Sequence, residues 1–196
     1  MGRTQISPTQ LNTRLLFSVK VILLARGFEV IEEGSFEKLL IVEENNEHEI
    51  YNTLFDVFND QKLRKELKDF CYSQTKEVKQ EKNQQLIAYP KFVKERLRFD
   101  NTLEWFAGEL MVKKFSSFSS SHGIKIKDII RNTTENDAGD YDALIVLRNT
   151  NLAYFECKSG SFDGHSIMQC YERMLSLNCE YSILIGYKFE IPNRFY

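Results

Sequence analysis

Two apolar runs flank Arg148-Asn149-Thr150-Asn151, and together they span Gly139 to Lys158. Each is too short for a helix and is bounded by turn-forming residues, so residues 141–147 and 152–158 read as the two strands of a β-hairpin. Side chains alternate along a strand. Leu152, Tyr154, Glu156 and Lys158 therefore share one face, and Ala153, Phe155 and Cys157 share the other. Asp142 begins the first strand and Glu156 ends the second. An antiparallel hairpin brings those positions to the same end. Two carboxylates and an ammonium thus converge at the rim of an otherwise apolar sheet.

Charges in such a place need partners. Two carboxylates held close repel unless a proton or a cation sits between them. A hard divalent ion with oxygen ligands suits them, since Mg2+ uses one or two carboxylates and keeps waters and substrate phosphate as its other ligands. Lys158 beside them can orient an attacking water and offset charge growing on phosphoryl oxygens. The spacing by itself also fits a plainer arrangement, a surface ion pair of Glu156 with Lys158 and Asp142 as a strand-end residue.

The flanking segments supply a frame. Asn101-Thr102 reads as a cap for a helix over residues 103–115, which carries Glu104. The run at 116–121 is serine-rich and reads as a loop, 124–130 as a strand, and 132–139 as a polar turn. After the hairpin comes a helix over 163–178 with an apolar stripe of Ile167, Cys170, Tyr171, Met174 and Leu177. A short buried strand follows at 181–186. The order helix, three strands, helix, strand predicts an α/β fold with a mixed central sheet.

The first half is read as an extension: a helix over 8–26, an acidic hairpin of 28–33 with 36–42, and helical sequence over 46–89. The boundary falls between residues 95 and 96. With 28 acidic against 26 basic residues and a net charge of -2, global charge does not attract nucleic acid. The basic stretch from Lys62 to Arg98 is the local candidate for a phosphate-backbone contact. Cys71, Cys157, Cys170 and Cys179 lack CxxC spacing and read as reduced thiols. No stretch reaches the ~18 apolar residues of a membrane span, and the N-terminus lacks the pattern of a secretory signal, so a cytoplasmic location is expected.

Asp142 on the second core strand, with Glu156 and Lys158 on the third, resembles the signature of the PD-(D/E)XK nuclease superfamily. The likeness covers about residues 101–187. Leu103-Glu104-Trp105-Phe106, Gly139-Asp140-Tyr141-Asp142 and Tyr154-Phe155-Glu156-Cys157-Lys158-Ser159-Gly160 are, in addition, similar to the nuclease domains of CRISPR-associated ancillary effectors. The alternating strand–helix run of those effectors' sensing domain is not present in the first 90 residues. The resemblance implies a restriction-endonuclease-like core with an N-terminal helix–hairpin–helix extension. It implies that Asp142, Glu156 and the Cys157 backbone carbonyl bind Mg2+ or Mn2+, that Lys158 is the catalytic lysine, and that Glu104 is a further metal ligand or water orienter. A capping box offers Glu104 another role, with Glu109 as the substitute and Asp140 as a supporting group or turn residue. On the helix after the motif, His165, Gln169 and Arg173 recur every four residues, and Gln169 is the one expected near the scissile phosphate.

The expected activity is metal-dependent hydrolysis of phosphodiester bonds, in DNA before RNA. The alternative is a non-catalytic nucleic-acid- or protein-binding module within a larger complex. Duplex cutting with one site per chain favours a homodimer or a larger assembly. Trp105, Tyr154 and Tyr171 are either base-stacking groups or core residues.

Overall fold

The computed structural model describes residues 16–35, 47–72, 98–131 and 139–187. Within them β3 (Gly139–Val146) and β4 (Leu152–Lys158) form the expected hairpin. Its turn closes with Thr150 in the left-handed region and with Thr150 N–H donating to the Leu147 carbonyl at 2.9 Å. Around this hairpin lies a five-stranded sheet in the order β1-β2-β3-β4-β5. β1 (Phe28–Glu32) pairs antiparallel with β2 (Ser119–Asp128), which pairs antiparallel with β3. β5 (Tyr181–Gly186) lies parallel to β4, as a crossover through α5 (Gly164–Ser176) requires. The sheet is mixed, as expected.

Helices cover both faces. On one side α2 (Glu47–Asn59), α3 (Gln61–Cys71) and α4 (Phe99–Phe115) bury Phe58, Leu67, Leu103 and Phe106 against Ala143, Ile145, Ala153 and Phe155. On the other, α1 (Val19–Ala25) and α5 bury Leu23 and Cys170 against Leu144, Val146, Leu152 and Tyr154. Alternation along β3 and β4 thus serves two cores at once. Residues 19–32 and 47–71, on the N-terminal side of the expected boundary at 95/96, contribute a strand and three helices to the same sheet and cores.

Several expected elements differ in detail. The run at 28–33 pairs with β2, and its expected partner at 36–42 lies outside the described residues. Of the helix expected over 8–26, residues 8–15 lie outside the described residues, and a helix starts at Val19, where Ser18 is extended and its side chain accepts the Val21 N–H. The helical sequence at 46–89 divides at Asp60, whose carboxylate takes the N–H groups of Lys62 and Leu63 and so starts α3. Residues 73–89 of that run lie outside the described set, as do 132–138 of the expected turn. The expected loop at 116–121 ends early: Ser119, Ser120 and Ser121 open β2, paired with Val146, Ile145 and Leu144. Cross-strand partners there override the weak strand preference of serine. The helix expected from 103 starts at Phe99, so Asn101 and Thr102 lie inside it, and the Thr102 hydroxyl donates back to the Arg98 carbonyl at 2.8 Å. Ile167 and Tyr171 of the expected α5 stripe are exposed, and the helix buries Cys170 and partly buries Met174.

The four cysteines are free thiols. No helix among the described residues is long and apolar enough to cross a membrane.

Candidate active site

The β3–β4 ladder pairs Ala143 with Phe155 and goes no further toward the open end. Beyond that point β4 continues to Lys158 alongside β5 alone. Asp142 stands where the ladder stops, and its Oδ2 accepts the Cys157 N–H at 2.7 Å. A side chain thus takes the place of a main-chain acceptor. That bond pins the Asp142 carboxylate beside the last turn of β4.

Glu156 belongs to the row of Leu152 and Tyr154, whose rings and methyls pack toward α5. Its side chain is fully buried (0% exposed) and surrounded by donors. Arg173, rising from α5, places Nη1 2.8 Å from Glu156 Oε2 and 3.0 Å from the Tyr154 hydroxyl oxygen. The Tyr154 hydroxyl donates to the same Oε2. Lys158 Nζ sits 2.5 Å from the other oxygen, Oε1. Burial acts to raise this carboxyl, but the bonds from Lys158 and Tyr154 and the charge of Arg173 outweigh it, and Glu156 stays below the ordinary glutamate range. Burial likewise acts to lower Lys158, and its bond with Glu156 wins, leaving the ammonium more firmly protonated than a free lysine. Lys158 is therefore a fixed positive charge and a hydrogen-bond donor at neutral pH, and not a base.

Glu104 reaches the same place from α4. Its Oε2 lies 3.6 Å from where a β-carbon on Gly123 would stand. Gly123 sits between the His122↔Ala143 and Ile124↔Tyr141 pairs of the β2–β3 ladder, level with Asp142. Burial first, then the negative charges of Asp142, Asp100 and Glu156, push the Glu104 carboxyl up to about 8. Burial also lifts Asp142 to about 6, with Glu156 adding to the rise and the Cys157 N–H opposing it. The capping role weighed for Glu104 is excluded, because α4 begins at Phe99 and Glu104 lies beyond its first turn.

The expected set of Glu104, Asp142, Glu156 and Lys158 is thus brought together. Gln169 lies one turn before Arg173 on α5, half-buried, with no side-chain hydrogen bond to a described residue. Glu109 turns away from the site to accept the Tyr51 hydroxyl, and Asp140 and His165 are exposed. Trp105 is core, packed edge-on to Tyr51. Tyr171 is exposed. Two groups gain roles that spacing alone obscured. Tyr154 looks like a core aromatic, yet its position two residues before Glu156 puts it on the same strand face. Arg173 reads as part of a solvated helix face, and its ion pair with the buried Glu156 shows that it turns inward.

Among the described residues no three His, Cys, Asp or Glu side chains are gathered so that they could hold a metal ion. The donors on offer are fewer: one carboxylate oxygen of Asp142 besides the bonded Oδ2, Oε1 of Glu156 in place of its lysine contact, and the Cys157 carbonyl. Such a sparse, hard-oxygen set fits an ion that keeps most of its waters, as Mg2+ and Mn2+ do, and does not fit a structural zinc.

No family model and no curated protein matches the chain. Among solved structures, protein VC1899 from Vibrio cholerae superposes with a TM-score of 0.56 at 14% identity, over 88% of this chain and 52% of that one. The two share a fold. Can2 from Sulfobacillus thermosulfidooxidans, solved in complex with cyclic tetra-adenylate, aligns at 15% identity over 90% of this chain and 53% of its own length, with a TM-score of 0.44, too low to define a common fold. The chain spans about half the length of each.

Proposed function

We propose that the protein is a divalent-metal-dependent nuclease that hydrolyses phosphodiester bonds, with DNA as its first substrate class and a restriction-endonuclease-like core. The observation that carries this reading is the meeting of Asp142, Glu156 and Lys158 at the point where the β3–β4 ladder ends, with Glu104 arriving from α4. The element order α4, β2, β3, β4, α5, β5, with β5 parallel to β4, supports the core assignment.

In this reading Asp142, Glu156 Oε1 and the Cys157 carbonyl hold Mg2+ or Mn2+. An ion held there would supply Lewis-acid polarisation of a phosphoryl oxygen and would acidify a water. Lys158 gives up its contact with Glu156 and turns its ammonium to the phosphate, where charge accumulates during displacement. Glu104 orients the water. The Arg173–Tyr154 pair keeps Glu156 ionised. The basic stretch from Lys62 to Arg98 contacts the phosphate backbone, and its described part exposes Lys62 and Lys65 on α3.

One observation favours a second reading. Glu156 is already balanced by Lys158 and Arg173 without any ion. A non-catalytic module of this fold would need nothing more.

Incubating circular plasmid, single-stranded DNA and RNA with the protein in Mg2+, Mn2+ or EDTA separates the two. Divalent-dependent cutting that is lost in Asp142→Ala supports the nuclease. Binding without cutting supports the module. Cutting of RNA alone reverses the substrate assignment.

A further inference from the structure

The two oxygens of Glu156 have different surroundings. Oε2 faces α5 and carries two donors, the Tyr154 hydroxyl and Arg173 Nη1. Oε1 pairs with the Lys158 ammonium at 2.5 Å and has no further partner among the described residues. Arg173 is itself held in place. Its guanidinium lies over the Tyr141 ring at 5.9 Å, and the Tyr141 hydroxyl lies 3.0 Å from Ser176 Oγ. Ser176 in turn donates to the Arg173 carbonyl at 2.9 Å. Only 22% of the arginine side chain is exposed.

A fully buried carboxylate with a single cationic partner would be free to rotate, so that either or both oxygens could face the site. Two donors on one oxygen prevent that. We propose that Arg173 is a positioning residue, which with Tyr154 locks Glu156 Oε2 toward α5 and leaves Oε1 as the one oxygen of Glu156 able to bind a cation. The inference rests on the metal-dependent reading above and deepens it. Glu156 would then offer a cation one oxygen, which agrees with the sparse donor set. Arg173 touches neither substrate nor ion. It acts through Glu156, as partners behind metal ligands commonly do. On this helix Arg173 therefore serves the carboxylate.

Both contacts of Arg173 come from one nitrogen, Nη1. A lysine ammonium at the same place can replace them, whereas an apolar side chain of equal length cannot. The test is Mn2+ binding by calorimetry, with thermal unfolding in EDTA run in parallel, on the wild type, Arg173→Lys, Arg173→Met and Tyr154→Phe. Partners behind metal ligands set affinity by roughly 10- to 100-fold. Arg173→Met is expected to weaken Mn2+ binding by at least about 10-fold, and Arg173→Lys to recover it to within about 3-fold. Tyr154→Phe, which leaves Arg173 on Oε2, is expected to lose less than Arg173→Met. An Arg173→Met protein that melts earlier yet binds Mn2+ as the wild type does would show a purely structural arginine and overturn the inference alone. A wild type that binds no Mn2+ would overturn the metal-dependent reading and this inference with it. Where Arg173→Met does not fold, equal losses in Arg173→Lys and Tyr154→Phe would contradict the assignment.

Discussion

Asp142 Oδ2 accepts the Cys157 N–H at 2.7 Å, so one residue both ends the β3–β4 ladder and faces the site. The two roles separate chemically. An asparagine keeps an oxygen acceptor for the N–H but removes the charge. Asp142→Asn is expected to fold with stability within about 1 kcal/mol of the wild type, the scale of one hydrogen bond. Its Mn2+ affinity and any cutting should fall by at least about 10-fold. Urea unfolding and calorimetry on the same samples check this. An Asp142→Asn protein that binds Mn2+ normally would remove Asp142 from the ligand set.

Glu104 predicts a pH dependence of stability. Its carboxyl is raised from 4.5 to about 8 in the folded chain, so folding holds the proton more tightly than the unfolded chain does. Stability from this source is fully present below the unfolded value and is lost as pH rises toward about 8. Asp142, raised from 3.8 to about 6, acts in the same direction at lower pH. Glu156, held below its ordinary value, acts in the opposite direction, adding stability above the unfolded value that is lost as pH falls. Removing the ionisable group at 104 isolates the first effect. In EDTA, Glu104→Gln is expected to be more stable than the wild type at pH 8, by on the order of 2 kcal/mol, and close to it at pH 5. Equal melting curves at pH 8 would mean that burial and the neighbouring carboxylates do not raise Glu104.

Arg64 is almost fully buried on α3 and donates to the carbonyls of Tyr187 and Phe58. Burial lowers its pKa to about 10, with Asp60 opposing the fall. The residue fastens α3 to the end of β5, close behind the site. Arg64→Ala leaves buried carbonyls without that donor and is expected to cost about 3 kcal/mol, measured by urea unfolding. A loss under about 0.5 kcal/mol would mean that packing alone holds α3.

The hairpin was legible because alternation is a local property. β4 is apolar except at Glu156 and Lys158, and side-chain alternation along it predicts the shared face of Tyr154 and Glu156. The pairing of β1 was not legible. A short acidic strand followed by Gly34-Ser35 reads as half of a hairpin, and only the long-range β2 ladder shows otherwise. The start of α4 was hidden for a similar reason. Asn101 and Thr102 are good caps in isolation, but burial of Phe99 and Leu103 in one core extends the helix past them. Arg173 was ambiguous in sequence because a polar helix stripe faces either water or a buried charge. The fully buried Glu156 decides which, and its burial depends on α5 crossing behind β4.

The most direct measurement is cleavage of plasmid DNA by the wild type and by Lys158→Met, each in Mg2+ and in EDTA, with thermal unfolding as the control for folding. Lys158 is the group that neither holds the fold's core nor binds the ion, yet meets the phosphate in the proposed reaction. The account predicts that the wild type cuts in Mg2+ and not in EDTA, and that Lys158→Met stays folded and cuts at least about 100-fold more slowly. Cutting that survives EDTA, or that is unchanged in Lys158→Met, would contradict it.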